Sequence, residues 1–263
     1  MSTIMEGRAG LVTGAAGGIG RATAIAFARE GAAVVVSDLE SRAADGEETV
    51  RLIEQAGGRA TFVAADVRRA SDHEALVRAV RDAYGRFDFA HNNAGVEQQH
   101  TIAETTEEEW DLICEVNLKG VFLALKAQLP AMTEQGHGAI VNTASLAGLI
   151  GAPALGPYVA SKHGVVGLTK TAAIEAAPAG VRVNAVCPAA IATAMILGLE
   201  PERQAELASP QALKRIGQPS EVAEAVVWLA SERASFVTGT AMAVDAGSTA
   251  GIVLPGEIAG LGA

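Results

Sequence analysis

Short apolar, β-branched segments alternate with longer helix-favouring stretches along almost the whole chain. Seven such segments occur, in the order GLVTG, AAVVVSD, ATFVAAD, FDFAHNN, GAIVNTAS, VRVNAVCP and TAMAVDAG. Strands and helices alternate in this way in parallel sheets whose connections are helices. The sequence therefore predicts an α/β fold, a doubly wound parallel sheet of about seven strands with helices on both faces.

The chain of 263 residues contains no internal repeat, low-complexity segment or linker. Single α/β domains of about 250 residues are common, so one domain over residues 1–263 is expected. Residues 189–218 form a long apolar insertion between two regular elements, which predicts a lid over a substrate site. The apolar, glycine-rich tail at 250–263 is expected to pack on a neighbouring subunit.

Composition and charge argue against several kinds of partner. Aromatic residues make up only 4% of the chain, which suits helix–sheet packing better than base stacking. The net charge is −10, from 20 basic and 30 acidic residues, without a basic cluster for nucleic acid or anionic lipid. Cys114 and Cys187 lack zinc-ligand spacing, so we expect two reduced, buried thiols and no metal site.

Two further segments bear on location. The start, MSTIMEGRAG, lacks the basic residues and apolar core of a signal peptide, and a cytoplasmic protein is expected. The uncharged run at 138–161 contains Asn142, Ser145 and two prolines, so it is predicted to be a buried strand, a loop and a helix start rather than a membrane span.

Two acidic segments have the pattern of helix starts. Both SDHE at 71–74 and TEEE at 106–109 place a Ser or Thr three residues before a Glu, the pattern of a capping box. Negative charge is also favourable at a helix N-terminus. We therefore predict helix starts, rather than metal ligands, at Ser71 and Thr106.

A glycine-rich turn follows the first predicted strand in LVTGAAGGIGRATAIAFAREG. Gly14, Gly18 and Gly20 allow a tight turn and a close approach to a ligand, and the following helix directs free N–H groups at it. The pattern predicts a pyrophosphate site of a Rossmann-like fold. A tight strand-to-helix turn without a ligand is the alternative.

Asp38 ends the second predicted strand, 24 residues after Gly14. A carboxylate there accepts hydrogen bonds from an adenosine ribose and repels a 2′-phosphate, so NAD is expected rather than NADP. Arg42 could bind a 2′-phosphate, so NADP is the alternative cofactor. The structural alternative for Asp38 is a cap on the following helix.

The pentapeptide YVASK at 158–162 places a phenol and an amine four residues apart, on one face of a helix. Taken alone, this spacing is compatible with ordinary packing and solvation. A nearby ammonium also favours the phenolate form, so Lys162 is expected to lower the pKa of Tyr158.

Several motifs occur together and in one order. They are TGAAGGIG from Thr13, DV at Asp66, NNAG from Asn92, Asn117 in EVNLKGVF, Ser145 in IVNTAS, and YVASK. With them the chain resembles the short-chain dehydrogenase/reductase family, in its tetrad-bearing branch, over roughly residues 6–249. The resemblance implies that Tyr158 is the general acid/base, Ser145 binds the substrate oxygen, Lys162 binds the nicotinamide ribose and Asn117 holds a water.

The resemblance also implies a cofactor site. Its residues would be Gly14, Gly18, Ile19, Gly20, Asp38, Leu39, Asp66, Val67, Asn93, Gly95, Tyr158, Lys162, Ile191 and Thr193. Among them, Asp66 and Val67 would contact adenine, Asn93 and Gly95 the adenosine side, and Ile191 and Thr193 the carboxamide. The alternatives are that Asn92 and Asn93 satisfy backbone groups and that Asp66 only ends a strand.

Two positions depart from the family pattern. Ala189 replaces the glycine of Pro-Gly after the sixth strand, where a methyl group narrows the approach to a cofactor. Ala246 stands in VDAGS in place of a glycine, at a predicted turn.

The expected function is reversible hydride transfer between NAD and a secondary alcohol or its ketone. Segments 96–100, 146–152 and 189–199 are mostly apolar or neutral, which favours a small uncharged substrate. The alternatives are an NADP-preferring carbonyl reductase, a lyase related to halohydrin dehalogenases, and a non-catalytic nucleotide-binding protein. The resemblance further implies a homotetramer, with helices around 106–135 and 157–177 in one interface.

Overall fold

The computed structural model describes residues 3–251 of the chain. The strands are β1 (Ala9–Thr13), β2 (Ala33–Asp38), β3 (Arg59–Ala64), β4 (Phe89–Asn92), β5 (Gly138–Thr143), β6 (Val181–Pro188) and β7 (Ala241–Val244). The helices are α1 (Gly18–Arg29), α2 (Ala43–Gln55), α3 (Ala70–Tyr84), α4 (Glu107–Cys114), α5 (Gly120–Gln135), α6 (Gly156–Ala176), α7 (Ala194–Leu197), α8 (Pro201–Ala208) and α9 (Pro219–Ala230). Of the tail predicted at 250–263, residues 252–263 lie outside the described residues.

All seven strands form one parallel sheet in the order β3-β2-β1-β4-β5-β6-β7. The predicted fold class, a Rossmann-like doubly wound sheet, is confirmed. The order reverses between β1 and β4, where the loops after the two strands diverge and leave a crevice. The sequence motifs follow the carboxyl ends of the strands, so they meet along this edge.

Each face of the sheet has its own apolar core. On one face α1, α2 and α9 bury side chains such as Phe27, Ile53 and Val226 against β1 and β2. On the other face α3, α5 and α6 bury Leu76, Met132 and Val165. The strands are apolar on both faces because helices cover both.

A buried polar network crosses the second core. Asn92 of β4 donates to Asn142 Oδ1 of β5 at 2.9 Å and exchanges hydrogen bonds of 2.8 and 3.0 Å with Gln128 of α5. Asn142 in turn donates to Thr169 Oγ1 of α6 at 2.9 Å. Both asparagines are at most 4% exposed, so these bonds satisfy groups that water cannot reach. Asn92 thus joins a network of side chains, which differs from the alternative that it satisfies backbone groups.

Both predicted helix starts are confirmed to within one residue, and one of them has the predicted capping box. Thr106 and Glu109 form a capping box before α4, with the Glu109 N–H donating to Thr106 Oγ1 and the Thr106 N–H donating to Glu109 Oε2. Helix α3 begins at Ala70, one residue before the expected start at Ser71, but it has no side-chain cap, so the predicted capping box does not form there. Asp72 instead accepts the backbone N–H of Asp66 at 3.0 Å, which joins the helix start to the preceding loop.

Three other expectations concern local structure. Cys187 is buried as expected, whereas Cys114, at the end of α4, is only half-buried and lines a surface groove. Ala246 occupies a turn with φ +52, as predicted, and the run at 138–161 is a strand, a loop and the start of α6. No helix within residues 3–251 is long and apolar enough to cross a membrane.

Candidate active site

The glycine-rich turn between β1 and α1 is a backbone cradle. Gly14 and Gly18 adopt φ angles of +64 and +51, which L side chains rarely adopt. A Cβ on Gly20 would lie 2.1 Å from the carbonyl oxygen of Gly14, so α1 packs directly on the turn. Ile19 is packed at the margin of the neighbouring core. The N-terminus of α1 faces the space above the turn, as an anionic ligand requires.

Asn93 joins this turn to the loop after β4. Its Nδ2 donates to the carbonyl oxygen of Thr13 at 3.1 Å and lies 3.4 Å from that of Gly14, while Thr13 Oγ1 accepts the N–H groups of Asn93 and Ala94. The side chain therefore satisfies backbone groups, as the structural alternative predicted. It also fixes the crevice between β1 and β4.

Asp38 lies at the end of β2 beside the same turn. Its Oδ2 accepts the N–H of Ala16 at 3.0 Å and its Oδ1 accepts the N–H of Leu39 at 2.9 Å. The carboxylate is therefore anchored to the turn rather than to the first turn of a helix. Arg42 approaches from the other side, since its Nη2 lies 3.8 Å from the position of a Cβ on Gly17. Its Nε is paired with Asp45 at 2.7 Å.

The predicted adenine contacts, Asp66 and Val67, lie in the loop after β3. The Asp66 carboxylate is held by Arg68 at 2.7 Å, and that hydrogen bond keeps the Asp66 pKa below its usual range despite partial burial. Val67 packs against Gly120 at the start of α5. The structure thus gives both residues local partners besides any ligand.

Helix α6 carries Tyr158 and Lys162 on one face, so the amine lies 5.5 Å from the centre of the phenol ring. Lys162 is only 3% exposed, and its Nζ donates to the carbonyl oxygen of Thr143 at 2.8 Å. Thr143 ends β5, two residues before Ser145, so the strand end positions both the lysine and the serine. Ser145 Oγ accepts the N–H of Ala147 at 3.1 Å, which fixes its side chain.

Burial shifts the pKa values of both groups on α6. It raises the pKa of Tyr158 to about 12, a hydrogen bond with Ser145 opposes this rise, and the Glu97 carboxylate adds to it. Burial also lowers the pKa of Lys162 to about 8, against the effects of Cys187 and Glu97. Burial therefore dominates the pKa of Tyr158 in the protein by itself, and the expectation that Lys162 lowers this pKa stays a prediction.

Asn117 lies in a π-helical turn, Glu115–Lys119, between α4 and α5. Its Oδ1 accepts the Val96 N–H and its Nδ2 donates to the Val96 carbonyl, both at 2.8 Å, and Nδ2 also reaches Ser161 Oγ at 3.3 Å. The side chain is fully buried and fully engaged. A π turn leaves carbonyl groups without the usual helical partner, so any water would be held by the backbone here.

The insertion after β6 reaches the glycine-rich turn. Thr193 Cγ2 lies 3.1 Å from the position of a Cβ on Gly18, and Ile191 is buried against Gly217. Ala189 is not among the residues of 3–251 with a positive φ, so its methyl group causes no backbone strain. The structure brings Ile191 and Thr193 to the same crevice as the other predicted residues.

Two residues of the site were missed from the sequence. His91 is fully buried and its Nε2 lies 2.8 Å from Thr143 Oγ1, which itself donates to Asn93 Oδ1 at 3.3 Å. Burial lowers the pKa of His91 to about 3, so the ring is neutral. Glu97 was counted within a mostly neutral segment, although its charge acts on Tyr158 and Lys162. A single carboxylate next to NNAG was the available signal.

The residues fit a dinucleotide, because a backbone cradle, a helix N-terminus and an anchored carboxylate lie along one crevice. Gly95, in the loop after β4, links this crevice to two residues of the predicted tetrad, because a Cβ there would lie 3.2 Å from Asn117 Oδ1 and 3.5 Å from Lys162 Nζ. No group of three or more potential metal ligands occurs within residues 3–251.

Comparison with known proteins agrees with this geometry. The sequence profile described as Enoyl-(Acyl carrier protein) reductase matches residues 14–249. Cyclohexanol dehydrogenase of Acinetobacter sp. (strain SE19) is 41% identical over 250 residues, which cover 95% of this chain and 98% of the relative. The 3-oxoacyl-(acyl-carrier-protein) reductase FabG of Thermotoga maritima is 41% identical over 244 residues, covering 92% and 98%.

The fold comparison gives the same answer. The crystal structure of levodione reductase superimposes with a TM-score of 0.87 at 37% identity, covering 93% of this chain and 98% of that one. Sequence motifs, sheet order, crevice and relatives all point to one group. The chain belongs to the short-chain dehydrogenase/reductase family.

Proposed function

We propose that the protein is an NAD-dependent oxidoreductase that interconverts a secondary alcohol and its ketone, with Tyr158 as the general acid/base. The observation that carries the proposal is the placement of Tyr158, Lys162 and Ser145 at the end of a crevice that fits a dinucleotide. The similarity to a cyclohexanol dehydrogenase supports a cyclic secondary alcohol as the substrate class.

The crevice would hold the dinucleotide with the glycine-rich turn at the pyrophosphate, Asp38 at the adenosine ribose and Lys162 at the nicotinamide ribose. When bound, the cofactor supplies the hydride acceptor or donor, and its oxidised ring adds positive charge. Ile191 and Thr193 would contact the carboxamide of the cofactor, and the position of Thr193 beside Gly18 supports a role in the same crevice.

Tyr158 would accept the hydroxyl proton of the alcohol during oxidation and return it during reduction. Its pKa of about 12 is too high for proton abstraction near neutral pH, so added positive charge is required. Lys162, with a pKa of about 8, is protonated at neutral pH and contributes part of that charge. The Ser145 hydroxyl would hydrogen-bond the substrate oxygen and orient it toward the phenol.

Asn117 would support this proton path indirectly. Its side chain is used to hold Val96, so a water would bind at the backbone of the π turn. This refines the role that the family resemblance implies for Asn117.

NAD is proposed over NADP because Asp38 is anchored beside the turn, where a carboxylate repels a 2′-phosphate. Arg42 near Gly17 is the observation that favours an NADP-preferring carbonyl reductase instead. The test is kcat/KM with each cofactor for the wild type, Asp38→Asn and Arg42→Ala. We expect the wild type to have a higher kcat/KM with NAD than with NADP, and Asp38→Asn to reduce the ratio of these two values. A wild-type preference for NADP that Arg42→Ala abolishes would establish the second candidate.

A homotetramer with helices around 106–135 and 157–177 in one interface is proposed as well. Trp110 and Phe122 are 46% and 48% exposed, and a groove of about 730 Å³ between α5 and α6 is lined by Leu118, Phe122 and Leu168. Exposed apolar surface of this kind marks interaction sites. Light scattering should give four chain masses, and Phe122→Arg should give a smaller assembly. The expected cytoplasmic location stays a prediction.

The decisive experiment is NADH formation from a panel of cyclic and linear secondary alcohols by the wild type and Tyr158→Phe. We expect turnover by the wild type and a loss of at least about 100-fold in the variant, since general acid/base catalysis contributes 10²–10⁴-fold. NADH binding by fluorescence titration should be retained in Tyr158→Phe. A lyase would act without consuming NAD, and a nucleotide-binding protein would bind NADH without turning over any alcohol.

A further inference from the structure

The loop after β4 brings one carboxylate to the substrate end of the crevice. Within segments 96–100, 146–152 and 189–199, Glu97 is the only acidic residue, and the whole run from 138 to 161 is uncharged. Glu97 is partly buried. A single carboxylate in otherwise neutral walls requires a partner of its own, because partial burial removes part of its hydration.

The position of this loop is fixed at both ends. Asn117 clamps both backbone groups of Val96 at 2.8 Å, directly before Glu97. His100 pairs with Leu155, three residues before Tyr158, and its Nδ1 lies 3.0 Å from Glu109 Oε1. Residues 97–99 therefore span a short distance between the tetrad asparagine and the start of the tetrad helix.

Glu97 acts electrostatically on the catalytic groups, but it does not favour the phenolate form of Tyr158. Its charge raises the pKa of Tyr158 and so opposes the phenolate form. It also raises the pKa of Lys162, whose Nζ lies 3.5 Å from the position of a Cβ on Gly95. The carboxylate of Glu97 thus acts on the catalytic groups, but its charge does not help Tyr158 to ionise. Proton transfer alone does not explain why a carboxylate stands here.

The neighbouring side chains leave acceptor capacity unused. Glu97 Oε1 accepts Gln99 Nε2 at 3.0 Å, and within residues 3–251 Glu97 Oε2 has no hydrogen-bond donor. The buried Oε1 of Gln98 also finds no partner in that part of the chain. Free acceptors on the loop that also carries Gly95, whose Cβ position lies near Lys162 Nζ, suit a ligand that brings hydrogen-bond donors.

We propose that Glu97 is a specificity-determining residue that binds a second hydroxyl group on the substrate, next to the carbinol that reacts. The substrates of this site are accordingly cyclic vicinal diols or their hydroxy ketones rather than simple alcohols. A neutral hydroxyl fits better than a substrate ammonium, because Lys162 already places a positive charge in the site. This inference rests on the proposed function, since it assigns the substrate of the same site.

The test compares three alcohols of one ring size with saturating NAD. Cyclohexane-1,2-diol carries the second donor, 2-methoxycyclohexanol carries an acceptor of similar size without the proton, and cyclohexanol carries neither. We expect the wild type to favour the diol in kcat/KM by about 10-fold or more, as expected for a hydrogen bond to a charged group. Glu97→Gln should lower kcat/KM for the diol by about 10- to 100-fold and change that for cyclohexanol by less than about 3-fold.

Two control variants separate specificity from other effects. Glu47→Gln removes an exposed carboxylate on α2 and should leave all three values unchanged. Glu97→Asp keeps the charge and should retain part of the diol preference. If Glu97 only maintains the charge of Lys162, Glu97→Gln would instead shift the pH profile for all three alcohols to lower pH.

Each outcome has a distinct meaning. An equal loss for diol, ether and cyclohexanol in Glu97→Gln, or a wild type that does not distinguish them, would overturn the inference and leave the proposed function intact. A preference for 2-aminocyclohexanol over the diol would overturn the assignment of a hydroxyl partner. A wild type that forms NADH from none of these alcohols, nor from the wider panel, refutes the proposed function itself.

Discussion

A methyl group on Gly20 tests whether the cofactor cradle depends on close contact between α1 and the turn after β1. The added Cβ would lie 2.1 Å from the carbonyl oxygen of Gly14 and 2.8 Å from Asn93 Nδ2. Non-bonded heavy atoms pack at about 3.5 Å, so the turn and the helix must separate by roughly 1.4 Å. The obstacle is backbone, which cannot rotate away as a side chain can.

The magnitude follows from two opposing effects. Overpacking costs about 1–3 kcal/mol, and a backbone obstacle places Gly20→Ala at the upper end of that range. Alanine in a helix recovers about 1 kcal/mol relative to glycine. The free energy of unfolding should therefore fall by about 2 kcal/mol, which lowers Tm by about 4–8 °C for a domain of this size. NADH affinity should fall at least about 10-fold, because the N–H groups of α1 move away from the turn.

Gly17→Ala is the matched control, three residues earlier in the same segment. Gly17 has φ −174, an extended conformation open to any residue, and a Cβ there would meet only Arg42 Nη2 at 3.8 Å. We expect its free energy of unfolding to change by less than about 1 kcal/mol. Thermal unfolding and NADH fluorescence titration measure both variants. Equal effects of the two substitutions, or an unchanged Tm and affinity in Gly20→Ala, would refute the close-contact argument.

Three further predictions concern the buried polar groups. Thr143→Val leaves the Nε2 of His91 without its partner and should lower the free energy of unfolding by about 1–3 kcal/mol in urea titrations, whereas Thr143→Ser should not. Because burial lowers the pKa of His91 to about 3, the unfolded chain binds its proton more readily below about pH 6.5. Stability should therefore fall by about 2 kcal/mol between pH 7 and pH 5 on account of this group, and His91→Gln should flatten that slope. Burial would raise the pKa of Asp88, but hydrogen bonds from Arg86, the Ala9 N–H and His137 lower it. The ionised Asp88 therefore contributes to stability above its unfolded pKa, and this contribution is lost below about pH 4. Asp88→Asn should remove that loss of stability at acid pH, measured by circular dichroism.

The sequence predicted the elements that depend on local pattern. Seven apolar segments became seven strands, because both faces of a parallel sheet are covered and each strand must be apolar throughout. The capping box at Thr106 was also predictable, because its two partners are only three residues apart in the sequence. The helix start near Ser71 was predicted too, but its capping box does not form. Asp72 instead accepts the N–H of Asp66 in the preceding loop, a contact that no helix pattern contains.

The chemistry of the site was less predictable. Spacing alone placed Tyr158 and Lys162 on one helix face, but the pKa of Tyr158 depends on burial by several segments at once. His91 lies within an ordinary strand pattern, and only the fold brings its ring to Thr143. The charge of Glu97 was visible in the sequence, whereas its proximity to the tetrad depends on how Asn117 and Leu155 hold the loop.

The buried polar network fixes the position of α6 along its own axis relative to the sheet. Its members are Asn92, Asn142, Gln128 and Thr169. Thr169 lies seven residues, about two helical turns, beyond Lys162 on the same helix. A shift of α6 by one turn, about 5.4 Å, would leave the buried amides without hydrogen-bond partners. A purely apolar contact between helix and sheet would tolerate intermediate positions. Helix α6 therefore has no stable position between two registers on the sheet. A perturbation near Thr169 either leaves the phenol of Tyr158 in place or removes it from the crevice.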